Sequence, residues 1–166
     1  MTDSSRPAVG SSRPPAGRIE VTDRSRGLDT LTDPDYVISF AQPVERADVR
    51  TAVGWAQACF EHTSRPVLWF LVGGWRFGLG LRLGPRPSTR HVLGWRIAAS
   101  TPEFVILEVR SPLLTAHNLV EVQPGRVVLT TFVRYEHPAA RPLWSAAALV
   151  HRLSVPRLLN HALMNT

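Results

Sequence analysis

The sequence predicts an α+β fold in which an antiparallel β-sheet lays one face against a long C-terminal helix. Two observations lead to this prediction. Four strand-like segments follow one another with turn residues between them, at residues 91–100, 103–111, 115–123 and 126–136. A helical pattern then occupies residues 141–163. Strands joined by short turns pair as an antiparallel meander, and a sheet with one apolar face needs one covering layer.

One strand and two shorter helices precede the meander. Residues 35–41 alternate apolar side chains in the manner of a strand. Residues 46–62 repeat apolar side chains at helical spacing, and a second helix is predicted from Ser64 to about Trp75. The predicted order is β-α-α-β-β-β-β-α, with one or two short strands left open around residues 77–84.

The C-terminal helix is predicted to cover the sheet with a stripe of apolar and small side chains. This stripe comprises Leu143, Ala146, Ala147, Val150 and Ser154. Small side chains allow a helix to lie close to a sheet. Pro156 lacks a backbone donor, so we expect it to kink the helix or restart it after about Leu153.

Alternation along the strands assigns their residues to two faces. The apolar face is predicted to face the core and comprises Trp95, Ile97, Val105, Leu107, Val109, Val120, Val122, Val127, Leu129, Val133 and Tyr135. The other face is mostly ionic with mixed sign and comprises Arg96, Glu108, Arg110, His117, Glu121, Arg126, Thr130 and Arg134. We therefore expect a solvated outer face and a sheet covered on one side only.

The charge of the chain is carried by arginine alone. Its 166 residues include 19 basic residues, none of them lysine, and 13 acidic residues, giving a formal charge of +6. A basic balance favours nucleic acid or an anionic membrane as partner, but no two arginines are adjacent, so we expect no nucleic-acid partner. Residues 1–28 are rich in Pro, Ser and Arg and are expected to be disordered, which leaves residues 29–166 as the folded domain.

Several classes of protein are excluded by what the sequence lacks. Cys59 is alone, which excludes a disulfide framework and fits a buried structural thiol. The most apolar stretch, Val67 to Trp75, is too short to span a bilayer, and no secretory signal precedes it, so we expect a cytoplasmic location. Neither metal-ligand spacing of histidines nor a nucleotide-binding glycine motif occurs, so no metal and no cofactor are expected.

Three polar side chains interrupt the apolar face of the sheet, namely Asn118, Thr131 and Tyr135. Buried polar groups require hydrogen-bond partners. These three side chains therefore either satisfy one another and the backbone, or they line a cavity and bind the polar end of a ligand.

Aromatic and basic side chains complete the candidate site. Three tryptophans either pack in the core or form cavity walls, namely Trp75 from the second helix, Trp95 from the sheet and Trp144 from the last helix. His151 lies two helical turns after Trp144 and so on the same stripe, as a structural histidine or as a general acid or base. Arg76 either enters the cavity to hold a carboxylate or is solvated.

Several short stretches of the sequence carry a family resemblance, and they are Gly74-Trp75-Arg76, Leu79-Gly80-Leu81-Arg82, residues 91–95, residues 110–113, residues 131–135, Trp144 and His151-Arg152. Taken with the element order, these stretches resemble a bacterial branch of the START-like (SRPBCC) superfamily whose function is unknown. The resemblance covers about residues 35–163. It implies a helix-grip fold, in which a curved antiparallel sheet wraps the long C-terminal helix around a hydrophobic ligand cavity. Five strands are clear in the sequence, where the superfamily usually has more. The superfamily includes lipid-transfer domains and polyketide cyclases, so fold alone does not choose an activity.

Three functions are compatible with these features. The first is the binding of a small or medium hydrophobic ligand in a cavity between the sheet and the C-terminal helix. The second is an enzyme of the cyclase or dehydratase kind that uses His151 and Tyr135 for proton transfer. The third is a protein-interaction module that presents its arginine-bearing tail to an anionic partner, and a homodimer is also left open.

Overall fold

The computed structural model describes residues 14–45, 50–61, 66, 69 and 72–164. The described strands are β1 (Gly17–Ile19), β2 (Tyr36–Pro43), β3 (His91–Val92), β4 (Trp95–Ser100), β5 (Phe104–Arg110), β6 (Leu114–Gln123) and β7 (Arg126–Tyr135). The helices are α1 (Asp23–Leu28), α2 (Ala52–Phe60) and α3 (Ala140–Met164), with a π-helical turn at Gly74–Gly78. The predicted α+β class is confirmed, since a curved open antiparallel sheet accompanies a long C-terminal helix and shorter ones.

The seven strands form one antiparallel sheet in the order β1-β2-β7-β6-β5-β4-β3. The predicted meander is present, but residues 91–100 are two strands joined by a tight turn. Leu93 and Gly94 both have positive φ in that turn, at 48° and 87°. Positive φ at both central residues is typical of two-residue hairpin turns. Such turns usually contain Asn-Gly, so the Leu-Gly sequence did not indicate a turn here.

The apolar face of the sheet packs into the main core and is covered by α3, as predicted, while α2 also covers this face, which was not predicted. Of the residues assigned to that face, eight are buried in the core, while Ile97, Val122 and Tyr135 pack against it partly buried. Helix α2 begins later than predicted, because Thr51 caps it by accepting a hydrogen bond from the Gly54 backbone N–H at 3.2 Å. Residues 46–49 of that predicted helix lie outside the described residues.

Helix α3 runs without a break through Pro156, so the expected restart after Leu153 is wrong. The missing N–H of a proline removes one intrahelical hydrogen bond. Here that loss is offset by the burial of Val155, Leu158 and Leu159 on both sides of the proline. The buried face of α3 comprises Ala140, Trp144, Ala148, Val155, Leu158, Leu159 and Ala162.

The outer face of the sheet is covered in part, so the expectation that the sheet is covered on one side only is wrong. Glu108, His117, Glu121 and Thr130 are all buried. A second apolar cluster of Ile106, Leu119 and Phe132 lies on this face, and Leu28 and Leu31 pack against it. The covering layer is therefore α1 and the chain that follows it.

Residues 17–28 were expected to be disordered but form β1 and α1, and residues 1–13 lie outside the described residues. Polar contacts with distant residues hold this segment in place. The backbone N–H of Ala16 donates to Asn160 Oδ1 at 2.9 Å. The Ser25 hydroxyl donates to Glu121, and Asp29 Oδ1 lies 2.7 Å from Nδ1 of the buried His117.

The segment between α2 and β3 differs from prediction in its last part. Within the second predicted helix, residues 66, 69, 72 and 73 are helical, and residues 62–65, 67–68 and 70–71 lie outside the described residues. The helix passes into the π-helical turn Gly74–Gly78, and no strand forms over residues 79–90. None of the described helices combines the length and apolar character that crossing a bilayer requires.

Candidate functional site

A cavity of about 400 Å³ lies between the inner face of the sheet and residues 143–158 of α3. Its size falls within the range of small-molecule sites, roughly 300–1,000 Å³. Its walls are lined by Phe60, Gly74, Trp75, Gly78, Leu79, Leu81, Trp95, Leu114, Ala116, Asn118, Thr131, Leu143, Trp144, Ala146, Ala147, Val150, His151, Ser154, Val155 and Leu158. None of these side chains is acidic, lysine or arginine, so the described walls are apolar with a few neutral polar groups.

The stripe of α3 that was expected to pack on the sheet lines this cavity instead. Leu143 and Val150 face the cavity and are each 41% exposed. Gly74 and Gly78 of the π-helical turn also line it and are exposed. The mouth of the cavity therefore lies between α3 and this turn, and its rim is apolar.

Aromatic rings form one wall of the cavity. The Trp75 ring stands edge-on to Trp95, with 5.4 Å between centroids and 71° between planes. Trp75 also meets Phe60 edge-on, at 6.4 Å. Edge-to-face pairs at such distances are favourable beyond the area they bury. The π-helical turn places Trp75 here, since its Leu79 N–H reaches back to the Gly74 carbonyl at 3.2 Å.

A second aromatic group surrounds His151. Its ring centroid lies 5.8 Å from that of Trp144 and 6.4 Å from that of Phe40. Trp144 in turn stands edge-on to Tyr36 at 5.4 Å. His151 is therefore held among rings, with little solvent to stabilise a positive charge.

A polar relay crosses the cavity from the sheet to α3. The Thr131 hydroxyl donates to Asn118 Oδ1 at 2.6 Å, and the same hydroxyl oxygen lies 3.0 Å from His151 Nε2. Asn118 and Thr131 are direct neighbours across β6 and β7, which brings them together on one face. Burial, reinforced by the charge of Arg152, lowers the pKa of His151 from 6.5 to about 4. His151 is thus neutral at pH 7.

Three buried polar atoms of the cavity residues have no hydrogen-bond partner within the described part of the chain. They are the indole nitrogens of Trp95 and Trp144 and Nδ1 of His151. Buried polar atoms in native proteins are normally paired, so each such atom requires an explanation. Here all three belong to residues around one cavity.

Six of the eight predicted site residues line the cavity together: Trp75, Trp95, Asn118, Thr131, Trp144 and His151. Arg76 does not line it, because the helical turn directs this residue to the exposed surface. Tyr135 does not line it either. Its ring packs partly buried below the Arg141 guanidinium, 5.9 Å away, and burial and the Asp35 charge raise its pKa. His151 and Tyr135 therefore share no cavity for joint proton transfer.

Sequence reasoning missed several aliphatic residues of the lining. Leu114 and Ala116 share the face of Asn118 by simple alternation, but the predicted strand began at residue 115, so Leu114 fell outside it. Leu79 and Leu81 lie in a chain segment without regular structure, where no periodicity marks the inward side.

Other reactive groups lie away from the cavity. Burial raises the pKa of the Cys59 thiol to about 12, although the Arg50 charge opposes this, so the thiol is inert. Burial also tends to raise the pKa of Glu108, but hydrogen bonds from Arg96 and Arg110 outweigh it and lower that pKa. The described residues contain no group of three or more His, Cys, Asp or Glu side chains placed to hold a metal ion.

Comparisons with protein families, with curated proteins and with solved structures found no match. The seven-stranded antiparallel sheet with its long C-terminal helix is compatible with a helix-grip fold.

Proposed function

We propose that this chain binds a small or medium hydrophobic ligand in the cavity between the sheet and α3. The observation that supports the proposal best is the cavity itself, about 400 Å³ in volume and walled by apolar side chains with one polar relay. Sites of this kind orient a ligand by a few polar groups and hold it by apolar contact. The sequence resemblance to the START-like superfamily points to the same kind of cavity.

The surroundings of the cavity support reversible entry of such a ligand. The mouth is rimmed by Leu143 and Val150, which leave apolar surface in contact with water. A bound ligand would cover that surface and gain about 25 cal/mol for each Å² removed from water. A cytoplasmic location belongs to the same proposal, since the single Cys59 is a free thiol of the kind that a reducing compartment keeps.

Uptake of a fluorescent hydrophobic probe tests the proposal. We expect N-phenyl-1-naphthylamine to bind saturably, with one site per chain and a blue-shifted emission. Ala147→Phe places a ring into the cavity from α3 and should abolish uptake. Ala139→Phe adds the same ring at an exposed position before α3 and serves as the matched control.

Thermal unfolding of both variants establishes that they are folded before binding is compared. Absence of saturable uptake by the wild-type protein, or equal uptake by the two folded variants, would show that the cavity does not bind hydrophobic ligands.

A further inference from the structure

The proton positions in the polar relay follow from the chemistry of a hydroxyl group. A threonine hydroxyl carries one proton, and Thr131 donates it to Asn118 Oδ1. The 3.0 Å contact between Thr131 Oγ1 and His151 Nε2 therefore requires the histidine to be the donor. A neutral histidine that is protonated on Nε2 has a free lone pair on Nδ1. The buried Nδ1 of His151 is thus an acceptor without a donor among the described residues.

A hydrogen-bond donor without an acceptor lies beside it. The indole N–H of Trp144 is buried and has no partner in the described part of the chain. The rings of Trp144 and His151 are 5.8 Å apart between centroids, and both line the cavity. A hydroxyl oxygen placed about 2.9 Å from each nitrogen would donate to Nδ1 and accept from the indole. One hydroxyl group carries both the donor that His151 Nδ1 lacks and the acceptor that the Trp144 indole lacks.

The described walls of the cavity carry no charged side chain, and this favours neutral ligands over ionic ones. The cavity walls hold no acidic or basic side chain apart from the neutral His151, as far as the structure describes them. An ionised carboxylate or ammonium group would lose its hydration there without gaining a counter-charge. A carboxylate also has no proton to donate to His151 Nδ1.

We infer that the ligand is a neutral apolar alcohol or phenol, whose hydroxyl group donates to His151 Nδ1 and accepts from the Trp144 indole. This inference rests on the proposed function, because it specifies the ligand class of the same cavity. The apolar body of such a ligand would lie along Ala147, Val150 and the facing strands.

Competition between matched compounds tests the ligand class. Bound N-phenyl-1-naphthylamine is titrated at pH 7.5 with 2-naphthol, with 2-methoxynaphthalene and with 2-naphthoate, which share one ring system. The methyl ether can accept a hydrogen bond but cannot donate one. We expect 2-naphthol to displace the probe at about tenfold lower concentration than the ether, since one hydrogen bond is worth about that factor. The carboxylate should be weaker still. 1-Decanol and decanoate repeat the comparison with a flexible chain.

Two variants locate the effect. His151→Phe keeps a ring of similar size but removes the acceptor, so the alcohol and the ether should become equal competitors for whatever probe binding the variant retains. Trp144→Phe removes the donor and should weaken the binding of 2-naphthol and of 2-methoxynaphthalene by a similar factor. Both variants are compared only after cooperative unfolding has shown that they are folded.

The outcomes separate this inference from the proposed function. If the probe does not bind to the wild-type protein, both fail. If the probe binds but alcohol and ether compete equally in the wild-type protein, water rather than a ligand hydroxyl satisfies the two nitrogens, and only the ligand class is overturned. Stronger competition by the carboxylate would overturn it as well.

Discussion

Replacing His151 by glutamine should remove an acid-sensitive part of the stability of this protein. The pKa of His151 is lowered from 6.5 to about 4 by burial in the cavity wall and by the Arg152 charge. The unfolded chain therefore binds a proton on this group between these two values, while the folded chain does not. Stability contributed by the neutral histidine is complete above about pH 6.5 and falls as the pH drops toward 4.

The size of the effect follows from the two pKa values. Each pH unit between them is worth about 1.4 kcal/mol, which gives about 3 kcal/mol below pH 4. At pH 5.0 the linkage relation gives a loss of about 2 kcal/mol relative to pH 7.5. Glutamine does not titrate, so His151→Gln should lack this part of the pH dependence.

Urea unfolding followed by tryptophan fluorescence measures the difference. Free energies of unfolding are obtained for the wild type and for His151→Gln at pH 7.5 and pH 5.0. Titration of other groups, such as Glu108, contributes equally to both proteins and cancels in the comparison. The wild type should lose about 2 kcal/mol more than the variant. Equal losses in both proteins would refute the reasoning, because they would mean that solvent fills the cavity and leaves the histidine with an ordinary pKa.

Further predictions concern the thiol, the helix and the outer layer. Cys59 should not react with a thiol reagent at pH 8 in the folded protein and should react fully in guanidinium chloride; rapid reaction in the folded state would contradict its burial. Leu159→Ala should lower the free energy of unfolding by about 2–5 kcal/mol, whereas Leu153→Ala, whose side chain is 61% exposed, should change it by less than about 0.5 kcal/mol. Phe132→Ala in the outer cluster should cost about 3–5 kcal/mol in the same assay if α1 covers this face, and under about 1 kcal/mol if the face is solvated.

The inner face of the sheet was predictable because its signal is local. Strand side chains alternate with a period of two, so a run such as Val105, Leu107 and Val109 marks one face without knowledge of the partner strands. The placement of Asn118 and Thr131 on that face followed in the same way. Their direct pairing required only that two neighbouring strands be joined by a tight turn, which Pro124 and Gly125 supply.

The outer layer was not predictable because its contacts join distant parts of the chain through polar atoms. Residues 17–28 contain few apolar side chains, which is the composition of a disordered tail. The segment is nevertheless held by the hydrogen bond from Ser25 to Glu121, and just after it Asp29 contacts His117. Both contacts join residues about 90 positions apart in the chain. Glu121 and His117, which the strand pattern assigns to a solvated face, are the partners of this layer. The sequence did contain one indication of this layer, because three large apolar side chains on an otherwise ionic face are expected to be covered. They are Ile106, Leu119 and Phe132.

The cavity arises from the order of large and small side chains, and its size argues against an empty packing defect. Trp75 and Trp95 form an aromatic wall on one side and Trp144 with His151 on another, while Ala116 and Ala147 are among the small side chains between. At roughly 24 cal/mol per Å³, a sealed and empty space of this volume would cost about 10 kcal/mol, as much as the whole stability of an ordinary domain.

The open mouth between α3 and the π-helical turn allows a ligand to enter the cavity, so the space need not stay empty. An occupant restores contacts to the apolar walls, and its binding free energy adds to the stability of the folded state. A ligand at a hundred times its Kd should therefore raise the free energy of unfolding by about 2.7 kcal/mol and Tm by about 5–10 °C. Ala147→Phe fills part of the same space with its own side chain, so this variant should show the smaller ligand-induced rise in Tm. Equal rises in the wild type and in Ala147→Phe would place the stabilising site elsewhere on the protein.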